Sequence, residues 1–554
     1  MILIILTLLV ASLNFLATGY LTFTAIRIVS RGGSSSNTQE WDELFFIGFA
    51  VISVITGFIS IWFPVGILIL IIWSIISSFV IIIKRKYFRK LADSFWSGFR
   101  SFRKPELFFV LSIVILVLMA LARRITLGDT ESYHAQCIQW VRKFAVVPGL
   151  GNIHGRLAFN SMFFVVSGMF TFRIGEVLIF PLNGLLYLAL SLKLAILAFR
   201  EFKENAIWQA LFFMLLLLIS LFILLPDLNS PAPDIICSIF ILYLFAILAG
   251  SYFRKEEPDF IRVILINLLV FTTVSFKLSS LFILLLLPLV MKRDFFKKAL
   301  LSVILGVVVL SPYLIRNYYL SGYAVYPYPE VDIFDVDWKI PIDEANSMKR
   351  EISGWAKVST VSYQEVEKMK ITEWSPLWFK GLNSNSKIIL VVNLLSVVAT
   401  GIMIFRKDYR LAALQSVILA NLLFWFVMAP DPRFAYGFLF AGFALTVSYL
   451  AGLTLNRNPD LFYRISRVGL LLFLILIFGR RFATPVEVIR SPRLLVIPAA
   501  FGKVETRELN SGFSYRVPIP EGGCFDSEIP CVPYPLQNIE PRGRDLQSGF
   551  RVKK

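Results

Sequence analysis

The 554-residue sequence predicts an all-α polytopic membrane protein of about 13–14 transmembrane helices, with outer-face loops and a small C-terminal extracytoplasmic domain. Three observations carry this reading. Hydrophobic residues make up 57% of the chain and mean hydropathy is +0.72, far outside the range of soluble proteins. Apolar runs of roughly 20 residues recur from end to end, each long enough for ~30 Å of hydrocarbon. The alternation of a barrel strand is missing, so each span must satisfy its own backbone as a helix.

In chain order the spans read Ile2–Ile26, Leu44–Phe63, Val65–Ile83, Leu107–Ala122, Val177–Phe199, Ile207–Leu225, Ile235–Phe253, Phe260–Phe276, Leu278–Met291, Ala299–Ile315, Ile388–Phe405, Leu411–Met428, Phe434–Leu455 and Ile465–Phe482. The first run lacks a basic n-region and a small-residue cleavage site, so it reads as a span, not a leader. The stretch Phe260–Met291 reads either as two short spans hinged at Lys277 or as one broken hairpin.

Orientation follows from charge. Lys84-Arg85-Lys86, Arg89-Lys90, Arg100, Arg103 and Lys104 face only Asp93, and such a basic linker belongs in the cytoplasm. The net charge of +18 is then topological, a basic inner surface and not a nucleic-acid footprint, and no nucleic-acid partner is expected. The alternation closes if Leu157–Phe172 is a re-entrant or surface helix that does not cross. Residues 1–105 hold N-terminal helices and the basic linker, and 106–315 a membrane core containing a first outer loop at 123–156. An outer cap loop at 316–386, C-terminal helices at 387–482 and an extracytoplasmic tail at 483–554 complete the chain. Acids, aromatics and prolines in the cap predict an ordered, mostly irregular segment with one helix near Ile342–Met369. In the tail, Cys524 and Cys531 bracket a short loop where a disulfide is sensible in an oxidising compartment, against the alternative of two free thiols.

The two histidines of the chain both fall in the first outer loop. Gly128-Asp129-Thr130 follows a span, and Tyr133, Cys137, Val141 and Phe144 then recur at helical spacing, as in an amphipathic helix on the membrane surface. Its approach presents Asp129 and Glu131, with His134 one turn beyond Thr130. A carboxylate there can take a proton from an acceptor hydroxyl, but Asp is also a favoured helix N-cap, and both roles stay open for Asp129. His154-Gly-Arg156 follows a Gly-rich turn, so Arg156 can hold a phosphate and His154 can donate to it, or the pair can be a headgroup anchor.

Charges at the ends of spans form a second set: Asp234 in Ser230-Pro-Ala-Pro-Asp234, Lys277 between long apolar flanks, Arg316, and Asp431 with Arg433 in Asp431-Pro-Arg433. A cation at mid-membrane costs ~2.5–3.5 kcal/mol on insertion scales, so Lys277 must face protein, water or an anion. The proposed topology puts all of these toward the outer side, where the cations can meet the phosphate of a lipid-linked donor. Snorkelling or simple ion pairing is the alternative for each taken singly.

The stretch Asp129-Thr-x-x-Tyr-His-Ala-Gln136-x-Ile-x-Trp140 with Val147-Pro-Gly-Leu-Gly-Asn-Ile-His-Gly-Arg156 resembles a family of bacterial polytopic membrane proteins of uncharacterised activity. Lys277-Leu-Ser279, Ile315-Arg-Asn317, Ser321-Gly-Tyr323 with Tyr326-Pro327, Asp431-Pro-Arg433 and the Cys-x6-Cys tail are similar to it as well. That family in turn looks like the GT-C class of membrane glycosyltransferases. The resemblance implies a polyprenyl-phosphate-linked sugar donor, a glycan, lipid or protein acceptor, and a bacterial inner-membrane location with the catalytic loop and C-terminus periplasmic. It places Asp129 in the acidic catalytic position and, more loosely, Arg316 and Arg433 against the donor phosphate; the residues themselves add Glu131 or His134 to orient the acceptor and Arg156 and Lys277 to meet that phosphate. The Asp-Asp or Glu-x-Asp pair of metal-using members is missing, so a divalent metal has only weak support from Asp129 with Glu131. A transporter or lipid flippase, or a non-catalytic envelope assembly protein, are the alternative readings.

Overall fold

The computed structural model describes residues 2–29, 40–174, 177–291, 295–455, 503–509, 512–519 and 522–553. The helices are α1 (Ile2–Val29), α2 (Trp41–Trp62), α3 (Ile67–Ile83), α4 (Arg85–Arg100), α5 (Lys104–Ala122), α6 (Ala135–Lys143), α7 (Met162–Phe170), α8 (Leu182–Lys203), α9 (Ile207–Leu224) and α10 (Pro233–Phe253). There follow α11 (Phe260–Phe276), α12 (Leu287–Val290), α13 (Phe295–Ser321), α14 (Ile342–Lys357), α15 (Tyr363–Lys368), α16 (Ile371–Gly381), α17 (Ser384–Phe405), α18 (Tyr409–Met428) and α19 (Tyr436–Leu455). Among the described residues ten helices (α1, α2, α5, α8, α9, α10, α13, α17, α18 and α19) are long and apolar enough to cross a membrane. The molecule is a multi-pass, mostly helical membrane protein.

Three spans read from the sequence within the described residues are not among these ten, and each has a physical cause. The apolar run of α3 is followed by an 89° bend into α4, whose basic and aromatic faces divide it into an amphipathic helix; counting the bent pair gives eleven spans at most. At Lys277 the backbone is extended, so α11 stops after 17 residues and a 3-10 helix, Leu278–Leu286, leads into the four-residue α12. Ser280 mends the break, its hydroxyl lying 2.7 Å from the Lys277 carbonyl and 3.1 Å from that of Thr273. The predicted span from Val177 begins only at Leu182, because Val177–Ile179 (β2) pairs antiparallel with Phe172–Ile174 (β1). The predicted span Ile465–Phe482 lies outside the described residues.

Helices α2, α8 and α10 are the most buried of the bundle, while α13 and α17 present most of their apolar surface outward. Helix α10 owes its start to Pro233 in the first turn, where a missing N–H costs nothing. Its first turn also carries Asp234, a carboxylate at the positive end of the helix.

Over one end of the bundle lie the loop at 123–161, the cap and the tail. Two expectations are corrected there. The helix after Asp129 is not a surface helix: Ala135–Val141 of α6 are all buried, against α7 on one side and the tail on the other. Of the two forms read for 157–172 the surface helix is set aside, since α7 is buried along its whole length; at nine residues and ~1.5 Å per residue it is too short to cross, which leaves the re-entrant form. The cap holds three helices, α14–α16, where the sequence suggested one; Ser362 accepts from the Glu365 amide (3.4 Å) and starts α15 afresh.

The tail adds a hairpin, β3 (Lys503–Glu508) with β4 (Ser514–Ile519), and a second pair, β5 (Ile539–Pro541) with β6 (Phe550–Val552). Cys524 and Cys531 are disulfide-bonded. The loop they close grips the first loop: Gln136 donates to the carbonyls of Phe525 (2.9 Å) and Ser527 (2.8 Å), and the Phe525 amide donates to the Glu131 carbonyl (2.7 Å). Asn152 ties all three segments, donating to Trp338 of the cap (2.8 Å) and Phe550 of the tail (3.2 Å).

Candidate functional site

A cavity of about 350 Å³ lies where bundle, first loop and cap meet. Its charged lining is Asp129, Arg156, Asp234, Lys277, Glu351 and Arg433, three carboxylates and three cations. The first loop, α10, the break after α11, α14 and the turn after α18 each supply part of that set, so residues spread over some 300 positions converge on one space.

Asp129 is central. Its side chain caps no helix: the chain enters a π-helical turn (Thr130–His134) with Asp129 itself helical, and no cap hydrogen bond forms. One carboxylate oxygen lies 3.2 Å from Arg433 Nη1 and the other 3.6 Å from Arg156 Nη1. Burial penalises this carboxylate, yet His134, Arg433, Arg156 and Lys277 outweigh it and hold its pKa below the usual Asp value. Because His134 is itself neutral near pH 7, the two arginines and the lysine carry that effect at neutral pH.

Arg433 sits in a 3-10 turn (Pro432–Ala435) that Asp431 caps, accepting from the Arg433 amide at 2.8 Å. Trp425 and Trp378 hold the turn, their indoles donating to the carbonyls of Asp431 and Pro430, each at 2.7 Å. The guanidinium lies 5.2 Å from the Trp355 ring centroid. Arg156 donates to Glu351 of α14 at 2.8 Å and lies over Tyr133. Lys277 pairs with Asp234 and lies 3.7 Å from the centre of the Phe434 ring, so its charge, set between apolar flanks, meets a carboxylate and an aromatic face.

Several expected site residues do not reach this cavity. His134 is 2% exposed, wedged edge-on against Tyr133 and near Phe164, and burial drives its pKa down to about 4. Glu131 points to a separate space beside the tail, so Asp129 and Glu131 do not act as a pair. His154 lines that same second space, with its pKa pushed by burial and by Arg156 to about 3. Arg316 is sequestered behind Asn160, donating to Ser60 Oγ (2.9 Å) and Asn160 Oδ1 (3.2 Å), and does not line the cavity. Asp431 serves Arg433 and positions it. Among the described residues no three His, Cys, Asp or Glu side chains gather as a metal site.

The expected basic pocket is charge-balanced, since every cation in it already has a carboxylate partner. Glu351, the aromatic partners Tyr133 and Trp355, and the cap tyrosines Tyr326 and Tyr328 were not singled out as site residues. Tyr326-Pro327 stood out in the sequence as cap composition and in the family resemblance, with no role attached, and Glu351 lies 195 positions from the arginine it meets, with no local signal.

The cavity is amphipathic. Phe276, Leu278, Phe424, Trp425 and Met428 form one wall. Side chains three apart eclipse in a 3-10 helix, so the ridge from Leu278 to Leu281 runs outward, beside the stacked Phe282 and Phe424. Leu281, Leu285, Leu423 and Val427 at its outer end are exposed, so apolar surface extends from the charged centre to the outside of the bundle.

Fold and site thus define a multi-pass membrane protein with an ion-paired, amphipathic cavity at one end of its helices. Residues 1–440 match the family described as Domain of unknown function (DUF8201), and the chain belongs to that family. All six charged cavity residues lie within the matched stretch. Comparison with curated proteins and with solved structures gave no match.

Proposed function

We propose that the protein is a GT-C-type membrane glycosyltransferase, moving a sugar from a polyprenyl-phosphate-linked donor to an envelope acceptor on the periplasmic face of the bacterial inner membrane. The observation that carries this reading is an uncapped carboxylate, Asp129, between two guanidiniums in a cavity whose wall continues as apolar surface to the bundle exterior. A substrate suited to such a space has a charged head and a long apolar tail.

The polyprenyl chain lies along the Leu278–Leu281 ridge, and its phosphate reaches Arg433 and Lys277. Asp129 takes the proton of the acceptor hydroxyl as that oxygen bonds to the anomeric carbon. The bond from that carbon to the phosphate oxygen breaks with its electron pair, and the lipid phosphate leaves stabilised by the cations. In the unliganded cavity Asp129 is a weak base because Arg156 and Arg433 lower its pKa. A phosphate competes for both guanidiniums, and as they turn to it Asp129 regains basicity, so donor binding and activation of the base are one event. The sidedness and the periplasmic tail rest on the basic linker at 84–104.

The test is turnover of defined polyprenyl-phosphate sugars by the purified protein, with product followed by mass. The break at Lys277 favours a second reading, a lipid flippase, because interrupted helices also build transport sites. Movement of labelled polyprenyl-phosphate lipid across proteoliposomes without sugar transfer selects that reading over the first.

A further inference from the structure

Beside the cavity lies a second space of about 440 Å³, walled on its far side by Gly522, Gly523, Pro533 and Tyr534, which flank the disulfide-closed loop of the tail. Arg156 and Glu351 line both spaces, and their 2.8 Å ion pair stands between them. The two differ in character. The cavity balances three cations with three carboxylates and has a long apolar wall, whereas the second space has Glu131 and Glu351 against Arg156 alone. An anionic lipid head is therefore opposed less in the first, whose charges balance, than in the second, which has a carboxylate in excess.

The other groups of the second space suit a ligand rich in hydroxyls. Tyr534 is 45% exposed and lines the space, its ring perpendicular to that of His154 at 5.5 Å. Ser132 supplies a hydroxyl, and the two glutamates supply acceptors that can each bridge a pair of hydroxyls. An aromatic face with carboxylates at its edge recognises a pyranose, whose C–H face is apolar and whose rim is hydroxylated. Gly522 and Gly523 bring the tail close: a Cβ at Gly523 would stand 2.1 Å from Glu131 Cγ.

We propose that this second space is a carbohydrate subsite that receives the uncharged glycan end of the acceptor, with Tyr534 as its stacking platform and the Arg156–Glu351 pair as the partition through which the attacking hydroxyl reaches Asp129. The assignment of the glycan as acceptor rests on the glycosyltransferase reading; the binding of carbohydrate does not.

The test uses the full-length protein in detergent, with the methyl glycosides of a neutral hexose and of an N-acetylhexosamine as probes, read by saturation-transfer NMR. Expected is binding of at least one glycoside that Tyr534→Ala weakens about tenfold, the weight of one good aromatic contact, and that Tyr534→Phe retains. Saturating polyprenyl phosphate should leave that binding in place. Glycosides bound equally by wild type and Tyr534→Ala, displaced by polyprenyl phosphate, or not bound at all, overturn the subsite. Unaltered melting of Tyr534→Ala, expected from its exposed position, shows that any loss is local. If glycosides bind through Tyr534 but no sugar is transferred, the subsite stands and the glycosyltransferase reading fails. If sugar is transferred with an unchanged acceptor KM in Tyr534→Ala, the reading stands and the subsite fails.

Discussion

Asp129→Asn separates a catalytic carboxylate from a structural one. At 3.2 Å, with an effective dielectric of about 20, the attraction to Arg433 is on the order of 5 kcal/mol before solvation. Both groups are about a quarter exposed, and pairs of that kind are worth nearer ~1 kcal/mol net. The more distant Arg156 contact, at 3.6 Å, adds less. Asn keeps the shape and one acceptor oxygen, and the helix start loses nothing because Asp129 caps nothing. The expected stability loss is therefore about 1–2 kcal/mol. Loss of a general base costs about 10²–10⁴-fold in turnover, or ~2.7–5.5 kcal/mol of barrier. The same substitution removes one of two carboxylates from Arg156, which keeps Glu351, and from Arg433, which keeps Asp431, so an anionic ligand should bind more tightly, about fivefold for ~1 kcal/mol. Wild type and variant are compared in detergent for sugar transfer, for binding of sugar-free polyprenyl phosphate and for melting. A variant that keeps more than about a tenth of wild-type turnover, or binds polyprenyl phosphate more weakly, refutes the reasoning.

Lys277→Met strands the Asp234 carboxylate, 14% exposed, and should cost on the order of 3 kcal/mol. Adding Asp234→Asn should recover part of the loss in a melting experiment, and strictly additive effects would show the pair uncoupled. His134 and His154 are held neutral, near pKa 4 and 3, against an unfolded value of about 6.5. As pH falls below ~6.5 the unfolded chain binds protons first, so stability drops by roughly 1.4 kcal/mol per pH unit for each histidine, until pH about 4 and 3 respectively. Melting temperatures from pH 7.5 to 5 (roughly spanning that window) should show this slope, and His134→Phe should reduce it; a flat wild-type profile contradicts the buried neutral state. Gly523→Ala places a methyl against the Glu131 side chain and, at 2.8 Å, its backbone carbonyl, which cannot give way cheaply. Limited proteolysis should cut the tail faster in that variant, and unchanged protection would show that the tail does not rest on the first loop.

The long spans were legible because each buries or exposes its apolar side chains over a single helix, and hydropathy reports that directly. Their interruptions were not. At Lys277 an extended residue joins α11 to a 3-10 helix, and both halves have the same apolar composition as a continuous helix. Asp129, Arg156, Lys277 and Arg433 could be singled out as charges where a membrane chain rarely keeps them, and the structure brings all four to one cavity. Which charge meets which could not be read. Arg316 stood in the same kind of place as Arg433, yet one is tied to Ser60 behind the cavity wall and the other faces Asp129. The difference lies in which way a helix turns against its neighbours, set by side chains hundreds of residues away.

The interlock at Asn152 has a consequence for how the protein comes into being. Its amide reaches the Phe550 carbonyl, 398 positions downstream, and the Phe550 amide returns to Pro148 at 3.0 Å. A ribosome delivering the chain from its N-terminus makes Asn152 long before the strand whose carbonyl accepts its amide. Until that strand arrives the first loop lacks one of its two anchors, and a chain cut before Phe550 would keep the contact of Asn152 to Trp338 and lose the one to the tail.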